Sequence, residues 1–233
     1  MKNNCFKFKQ FTIHQEGAGM KVTTEACLFG AVAIKEKPNY ILDAGSGTGL
    51  LSLMLAQRFT EAKITAIDIN ANAISLTKYN FANSPFADRL ISISGDYAEL
   101  PDEMYFDTII CNPPFYKKGF VSTNTQRNTA MRDESNFNNV LDVFCNNLII
   151  DGQAWIILPP NENLEFEILA KKRNLFCVYK IFVENISGKF FRVISMFSKI
   201  ETECKEDRIC ICNEDKSYTN EFKTLLKDFY LAF

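Results

Sequence analysis

A glycine-rich turn between an apolar strand and an apolar helix constrains this chain more than any other feature. Tyr40-Ile41-Leu42-Asp43 reads as a buried strand and Leu50 to Phe59 as a helix, joined through Asp43-Ala44-Gly45-Ser46-Gly47-Thr48-Gly49. Glycine carries no Cβ and reaches left-handed φ, so such a joint lets the backbone approach a ligand closely. The pattern then continues as strand 64–67, helix 72–83, strand 90–93, strand 106–111, helix 137–148 and strand 154–158. After a helix over 162–173, two β segments (176–183 and 190–197) meet at Ser187-Gly188 as a terminal antiparallel hairpin. Before the turn, Thr23-Thr24-Glu25 opens a helix expected to run to about Lys37, where Pro38 breaks it. Strands alternating with helices predict an α/β fold with a mostly parallel seven-stranded sheet and helices on both faces. Residues 1–233 read as one domain, with 1–37 as an N-terminal extension and helix.

Spacing decides which ligand the turn serves. A dinucleotide fingerprint is G-x-G-x-x-G, and counting from Gly45 its third glycine falls on residue 50, which is Leu. The sequence here is G-x-G-x-G, the loop of S-adenosylmethionine-dependent methyltransferases, which makes the expected fold the Rossmann-like class I methyltransferase. Gly45, Gly47 and Gly49 then face the cofactor. Asp68, ending the second strand, is placed to accept from the ribose hydroxyls, and Ile69 to pack on the adenine. Asp96, ending the third, can accept from the cofactor's adenine amine, and Asp43, which orders the loop, and Asn112 complete the expected cofactor-binding set.

The fourth strand delivers Asn112-Pro113-Pro114-Phe115 at its carboxyl end. The Asn112 side-chain oxygen and the Pro113 carbonyl are two acceptors, enough for both hydrogens of an NH₂ group. Neither proline donates an N–H, so the turn is stiff and its carbonyls stay available. Phe115 offers a flat face for a planar group. The arrangement suits methylation of an amine on adenine, cytosine or glutamine, with Asn112, Pro113 and Phe115 as catalytic residues.

At 47% hydrophobic residues and net charge −2, the chain can bury a full core and carries no strong global attraction for nucleic acid. Regional charge differs. Residues 41–110 hold 4 Lys+Arg against 9 Asp+Glu, whereas Lys117, Lys118, Arg127 and Arg132 lie in a stretch without an acid. From Lys171 to Lys199 there are seven basic residues and one acid, Glu184. An acidic cofactor half beside basic segments fits a partner with phosphates, and equally an ordinary solvated surface. The first residues lack an apolar leader and no run reaches membrane-spanning length, so eight cysteines are expected as free thiols in a reducing cytoplasm. Cys204, Cys210 and Cys212 read as strand packing next to Ile209 and Ile211, so no metal is expected. His14, Cys111 and Trp155 carry no chemistry in this reading, and 219–229 reads as a surface helix with Phe222, Leu225, Leu226 and Phe229 on one face.

Several segments together resemble one family. They are Phe6-Lys7-Phe8-Lys9-Gln10-Phe11, Met20-Lys21-Val22-Thr23-Thr24-Glu25, the stretch Leu42 to Leu51, Asn112 to Tyr116, and Asp228-Phe229-Tyr230-Leu231. They are similar to the bacterial tRNA(Val) adenine-N6 methyltransferases, which modify the adenine immediately 3′ of the anticodon. The resemblance spans the whole chain. It implies that Lys21 and Thr24 lie near the cofactor, that Asn112 and Pro113 hold the target amine, and that Phe115 stacks on the flipped adenine. The family often has Asp where Glu25 stands and Tyr where Phe115 stands. The implied partner is tRNA, bound by a monomer with no membrane contact. Two other readings share parts of the pattern: a protein-glutamine N5-methyltransferase, and a catalytically idle protein that binds S-adenosylmethionine or RNA.

Overall fold

A computed structural model of the chain describes residues 4–113, 126–186 and 188–233, and of 126–136 the backbone alone. The chain opens with a hairpin, β1 (Cys5–Lys7) and β2 (Thr12–His14), followed by α1 (Thr24–Val32). Next come β3 (Tyr40–Ala44), α2 (Leu50–Arg58), β4 (Lys63–Asp68), α3 (Ala71–Ala82), β5 (Leu90–Ser94) and β6 (Phe106–Cys111). The remainder is α4 (Gln126–Asn147), β7 (Leu148–Leu158), α5 (Pro160–Lys171), β8 (Phe176–Ile186), β9 (Phe190–Ser198), β10 (Lys205–Cys212) and α6 (Asn220–Leu226).

The main sheet runs β10-β8-β9-β7-β6-β3-β4-β5. Strands β3 to β7 are parallel, and β9 is antiparallel to both β7 and β8. The terminal hairpin is therefore present. The sheet has eight strands, one more than expected, because β10 adds in parallel to β8. Strand order reverses at β3, whose neighbours are β4 and β6. Open α/β sheets bind ligands at such a point, beyond the carboxyl ends of the strands.

Period-2 side-chain alternation divides the core in two. Ile41, Ile110, Trp155, Ile157, Ile181 and Val183 face one layer, which α1, α2 and α6 cover. Leu42, Ile109, Ala154, Ile156 and Leu158 face the other, filled by α4 and α5. Both faces are apolar because both are buried, as parallel strands require.

One expectation needs correction. The first helix stops at Val32, short of Lys37, because Ile34 takes φ 70° and turns the chain. The Arg58 guanidinium, on α2, donates to the carbonyls of Gly30, Ala33 and Ile34 and so closes the helix from outside. The last helix turns one apolar face to the core as expected, with Phe222 and Leu226 fully buried and Phe229 nearly so, while Glu221, Lys223 and Thr224 stay exposed. It packs with Tyr218, Tyr230 and Phe233 in an aromatic cluster that also takes up Phe6 and Phe8 of the N-terminal hairpin.

Burial lowers the Arg58 pKa to about 10, yet the side chain is retained because it satisfies three helix-end carbonyls. Arg58→Ala is expected to cost on the order of 3 kcal/mol. Urea denaturation checks this, and an unchanged midpoint would remove Arg58 as the terminator of α1.

Candidate functional site

Three strand ends converge through register alone. Ala44 of β3 pairs with Ile67 of β4 on one side and Cys111 of β6 on the other. The next residue of each strand or turn is Gly45, Asp68 and Asn112, so these leave the sheet side by side. Gly45, Gly47 and Gly49 have φ of 78°, 58° and 78°, a region that side chains with a Cβ rarely enter. At Gly49 a Cβ would also meet Phe81 Cε1 at 2.7 Å.

Side chains from neighbouring elements take up the loop's backbone groups. Asp68 Oδ2 accepts from the Gly47 N–H at 2.9 Å, and Oδ1 from the Asn70 N–H at 2.8 Å. Each oxygen keeps a further lone pair. Thr77 Oγ1 donates to the Gly47 carbonyl at 2.9 Å. Gly49 caps α2 without a side chain, and Asp43 on β3 supplies the missing cap. Its Oδ2 accepts from the Ser52 N–H at 3.1 Å and the Ser52 hydroxyl at 2.6 Å. A carboxylate at that helix end is also favoured by the dipole. Burial nevertheless pushes the Asp43 pKa up to about 6, against the Ser52 hydrogen bonds that lower it.

A cavity of about 550 Å³ lies above this edge. Of the residues expected at the cofactor, Lys21, Gly45, Gly47, Asp68, Ile69 and Asn112 line it. Ile69 is 73% exposed there, an apolar side chain offered to the cavity mouth. Asp43 is buried behind the loop, and Gly49 abuts Phe81 and Thr77. Asp96 caps a short 3₁₀ turn, its Oδ1 accepting from the Ala98 N–H at 2.9 Å. Thr24 opens onto a different cavity. Pro113 is buried. Phe115, Lys117 and Lys118 lie outside the described residues, as do the side chains of Arg127 and Arg132. The Cys111 thiol is fully buried and burial raises its pKa, so it behaves as core. All eight cysteines are free, and among the described residues no His/Cys/Asp/Glu cluster could hold a metal ion. Among them, too, no helix is long and apolar enough to cross a membrane.

A family model described as the methyltransferase small domain matches residues 26–145. The tRNA1(Val) (adenine(37)-N6)-methyltransferase of Vibrio campbellii is 36% identical over 228 residues, 97% of this chain and 95% of its own. The protein of that name from Flavobacterium psychrophilum is 36% identical over 97% of this chain and 99% of its own. The chain belongs to this family. Solved structures agree in fold. A predicted O-methyltransferase from Agrobacterium tumefaciens gives a TM-score of 0.68 at 17% identity, covering 87% of this chain and 95% of its own. The glycopeptide N-methyltransferase MtfA, complexed with S-adenosylmethionine, gives 0.53 at 10% identity over 75% and 92%.

The methyl donor of this methyltransferase family is S-adenosylmethionine, and the cavity suits it. It offers close backbone approach at Gly45 and Gly47, a carboxylate with spare lone pairs at Asp68 and an apolar wall at Ile69.

The resemblance put Lys21 beside the cofactor, but nothing in the sequence marked what anchors its segment at this cavity. Residues 18–22 line it from above, and buried Gln15 and Asn80 anchor them. Gln15 Oε1 accepts from the Val22 N–H at 2.9 Å, closing that segment into a loop. Asn80, on α3, accepts from the His14 N–H at 2.8 Å and donates to the His14 carbonyl at 3.0 Å and the Thr48 carbonyl at 2.8 Å. One amide thus ties the N-terminal segment to the glycine loop. Tyr97 also escaped sequence reasoning, its ring standing 3.9 Å from where a Gly45 Cβ would be.

Asn80→Ala is expected to weaken binding of the methyl donor roughly tenfold, since buried partners lose their hydrogen bonds and the roof loosens. Calorimetry decides, and wild-type affinity in the folded variant would dismiss the brace. A second expectation concerns pH. Asp43 binds its proton more tightly folded (about 6) than at its ordinary 3.8. Its contribution is therefore fully present below pH ~4 and is lost as pH rises through ~6. Relative to Asp43→Asn, the wild type should lose on the order of 3 kcal/mol between pH ~4 and ~7. Urea unfolding of both proteins at the two pH values tests this, and a pH-independent difference would refute it.

Proposed function

We propose that the protein methylates N6 of adenine 37 in tRNA1(Val), the adenine 3′ of the anticodon, with Asn112 and Pro113 holding the target amine. The observation that carries this reading is the shared register of β3, β4 and β6. It sets the glycine loop, Asp68 and Asn112 on one cavity, in a chain alike along its length to relatives of that name.

S-adenosylmethionine, when bound, supplies an electrophilic methyl group on a sulfonium. The chain's own residues then orient the acceptor. The exocyclic amine of adenine is a weak nucleophile because its lone pair is delocalised into the ring. Hydrogen bonds from its two hydrogens to Asn112 Oδ1 and the Pro113 carbonyl favour tetrahedral nitrogen and turn the lone pair toward the cavity. Alignment of two bound reactants contributes on the order of 7–11 kcal/mol, so no strong base is needed and the proton leaves to water. Phe115 stacks on the extruded base. Extrusion costs a few kcal/mol, less in a single-stranded loop, and stacking returns roughly 1–3 kcal/mol. Lys117, Lys118, Arg127 and Arg132 neutralise phosphates, a role supported by their charge in the sequence.

Asn112→Ala is expected to lower turnover by roughly 10²-fold or more while binding of the methyl donor survives. The assay is transfer of labelled methyl to unmodified tRNA, digested to locate N6-methyladenosine. Near-wild-type turnover would discard the amine-positioning role. Label in a peptide glutamine, with none in RNA, would hand the reaction to a protein substrate.

A further inference from the structure

Residues 22–26, leading into the first turn of α1, form a wall between two cavities. Val22 and Ala26 line the one already described, while Thr24 and Glu25 line a second of about 440 Å³, within the usual size of a small-molecule site. Its other walls come from the β8–β9 hairpin and the segment after β10, through Asn185, Lys189, Phe191 and Tyr218. Because β8 runs parallel to β10 and, through β9, to β7, this hairpin opens on the same carboxyl edge that presents Asn112.

We propose that this second cavity receives a nucleotide adjacent to the target adenine, and so reads the sequence around it. The inference rests on the RNA-methylation reading above. The wall chemistry is that of a base with its phosphate. Phe191 and Tyr218 offer aromatic carbon, the medium on which bases stack whatever their sequence. Asn185 is exposed and carries both a donor and an acceptor, able to discriminate base edges. Lys189 is exposed at the hairpin turn, a cation for the adjoining phosphate. The one carboxylate in the wall, Glu25, is paired with Arg192 at 3.3 Å, and Arg192 also lies 5.3 Å from the centre of the Phe191 ring. That pairing removes the repulsion a bare carboxylate would exert on a phosphate, and joins the hairpin to α1. Thr24, expected beside the cofactor, turns its position to account here: it stands between methyl donor and neighbouring nucleotide.

The test uses the full chain and synthetic anticodon stem-loops that keep the target adenine and vary the nucleotide on either side. Wild-type kcat/KM should change with at least one flanking base, and Asn185→Ala should reduce that discrimination on the order of tenfold. Lys189→Ala should raise KM for every stem-loop alike and lower the slope of log affinity against log salt by about one. Neither exposed substitution should alter affinity for S-adenosylmethionine. If wild type methylates the stem-loops and both variants keep its KM, discrimination and salt slope, the second cavity is not a nucleotide site while the methylation reading stands. If wild type transfers no methyl to RNA, both fall together.

Discussion

The site depends on β3 being hydrogen-bonded on both flanks by parallel neighbours in matched register. Ala44 opposite Ile67 and Cys111 fixes where the glycine loop, Asp68 and Asn112 leave the sheet. A slip of one residue in either ladder would invert every side chain of that strand with respect to the two core layers. Ile41 and Leu42, Ile109 and Ile110, and Trp155 and Ile156 sort strictly into opposite clusters, so burial itself enforces the register. The hydrophobic core and the chemistry are thus set by the same constraint.

A loop of left-handed glycines has little intrinsic order, and buried or half-buried polar side chains of β3, β4 and α3 supply it. Asp68 holds the Gly47 N–H, Thr77 its carbonyl, and Asn80 the Thr48 carbonyl. Asp43 holds the start of α2 from beneath at the cost of a raised carboxyl pKa. Unmade hydrogen bonds in such a setting cost more than made ones contribute, so these partners specify one loop conformation rather than merely adding stability. Asp68 shapes the loop with one lone pair of Oδ2 and still has others unused at the cavity wall.

The outer half of the sheet extends the carboxyl edge beyond the glycine loop. Strand β10 widens it past β8, and α6 with the aromatic cluster seals its inner face against the N-terminal hairpin. The Lys9 ammonium adds a polar clasp to that seal, donating to the carbonyls of Lys227 and Phe233. The β8–β9 hairpin, the start of α1, the end of β10 and the segment after it together enclose the second cavity.

The sequence by itself determined the alternation of strands and helices, the glycine spacing, and the placing of Asp68 and Asn112 at strand ends. Each is written within a few residues, as period-2 hydrophobicity or as a turn that only glycine accommodates. Tertiary structure alone decided the end of α1, the pairing of β10 into the sheet as an eighth strand, the roof held by Asn80, and the cavity onto which Thr24 opens. These rest on contacts between residues far apart in the chain, 66 positions for Asn80 with His14 and 167 for Arg192 with Glu25. A lone asparagine in a helix pattern looks like solvated surface. Only the folded chain brings His14 and Thr48 to it, and the demand that buried polar groups be paired makes it a brace.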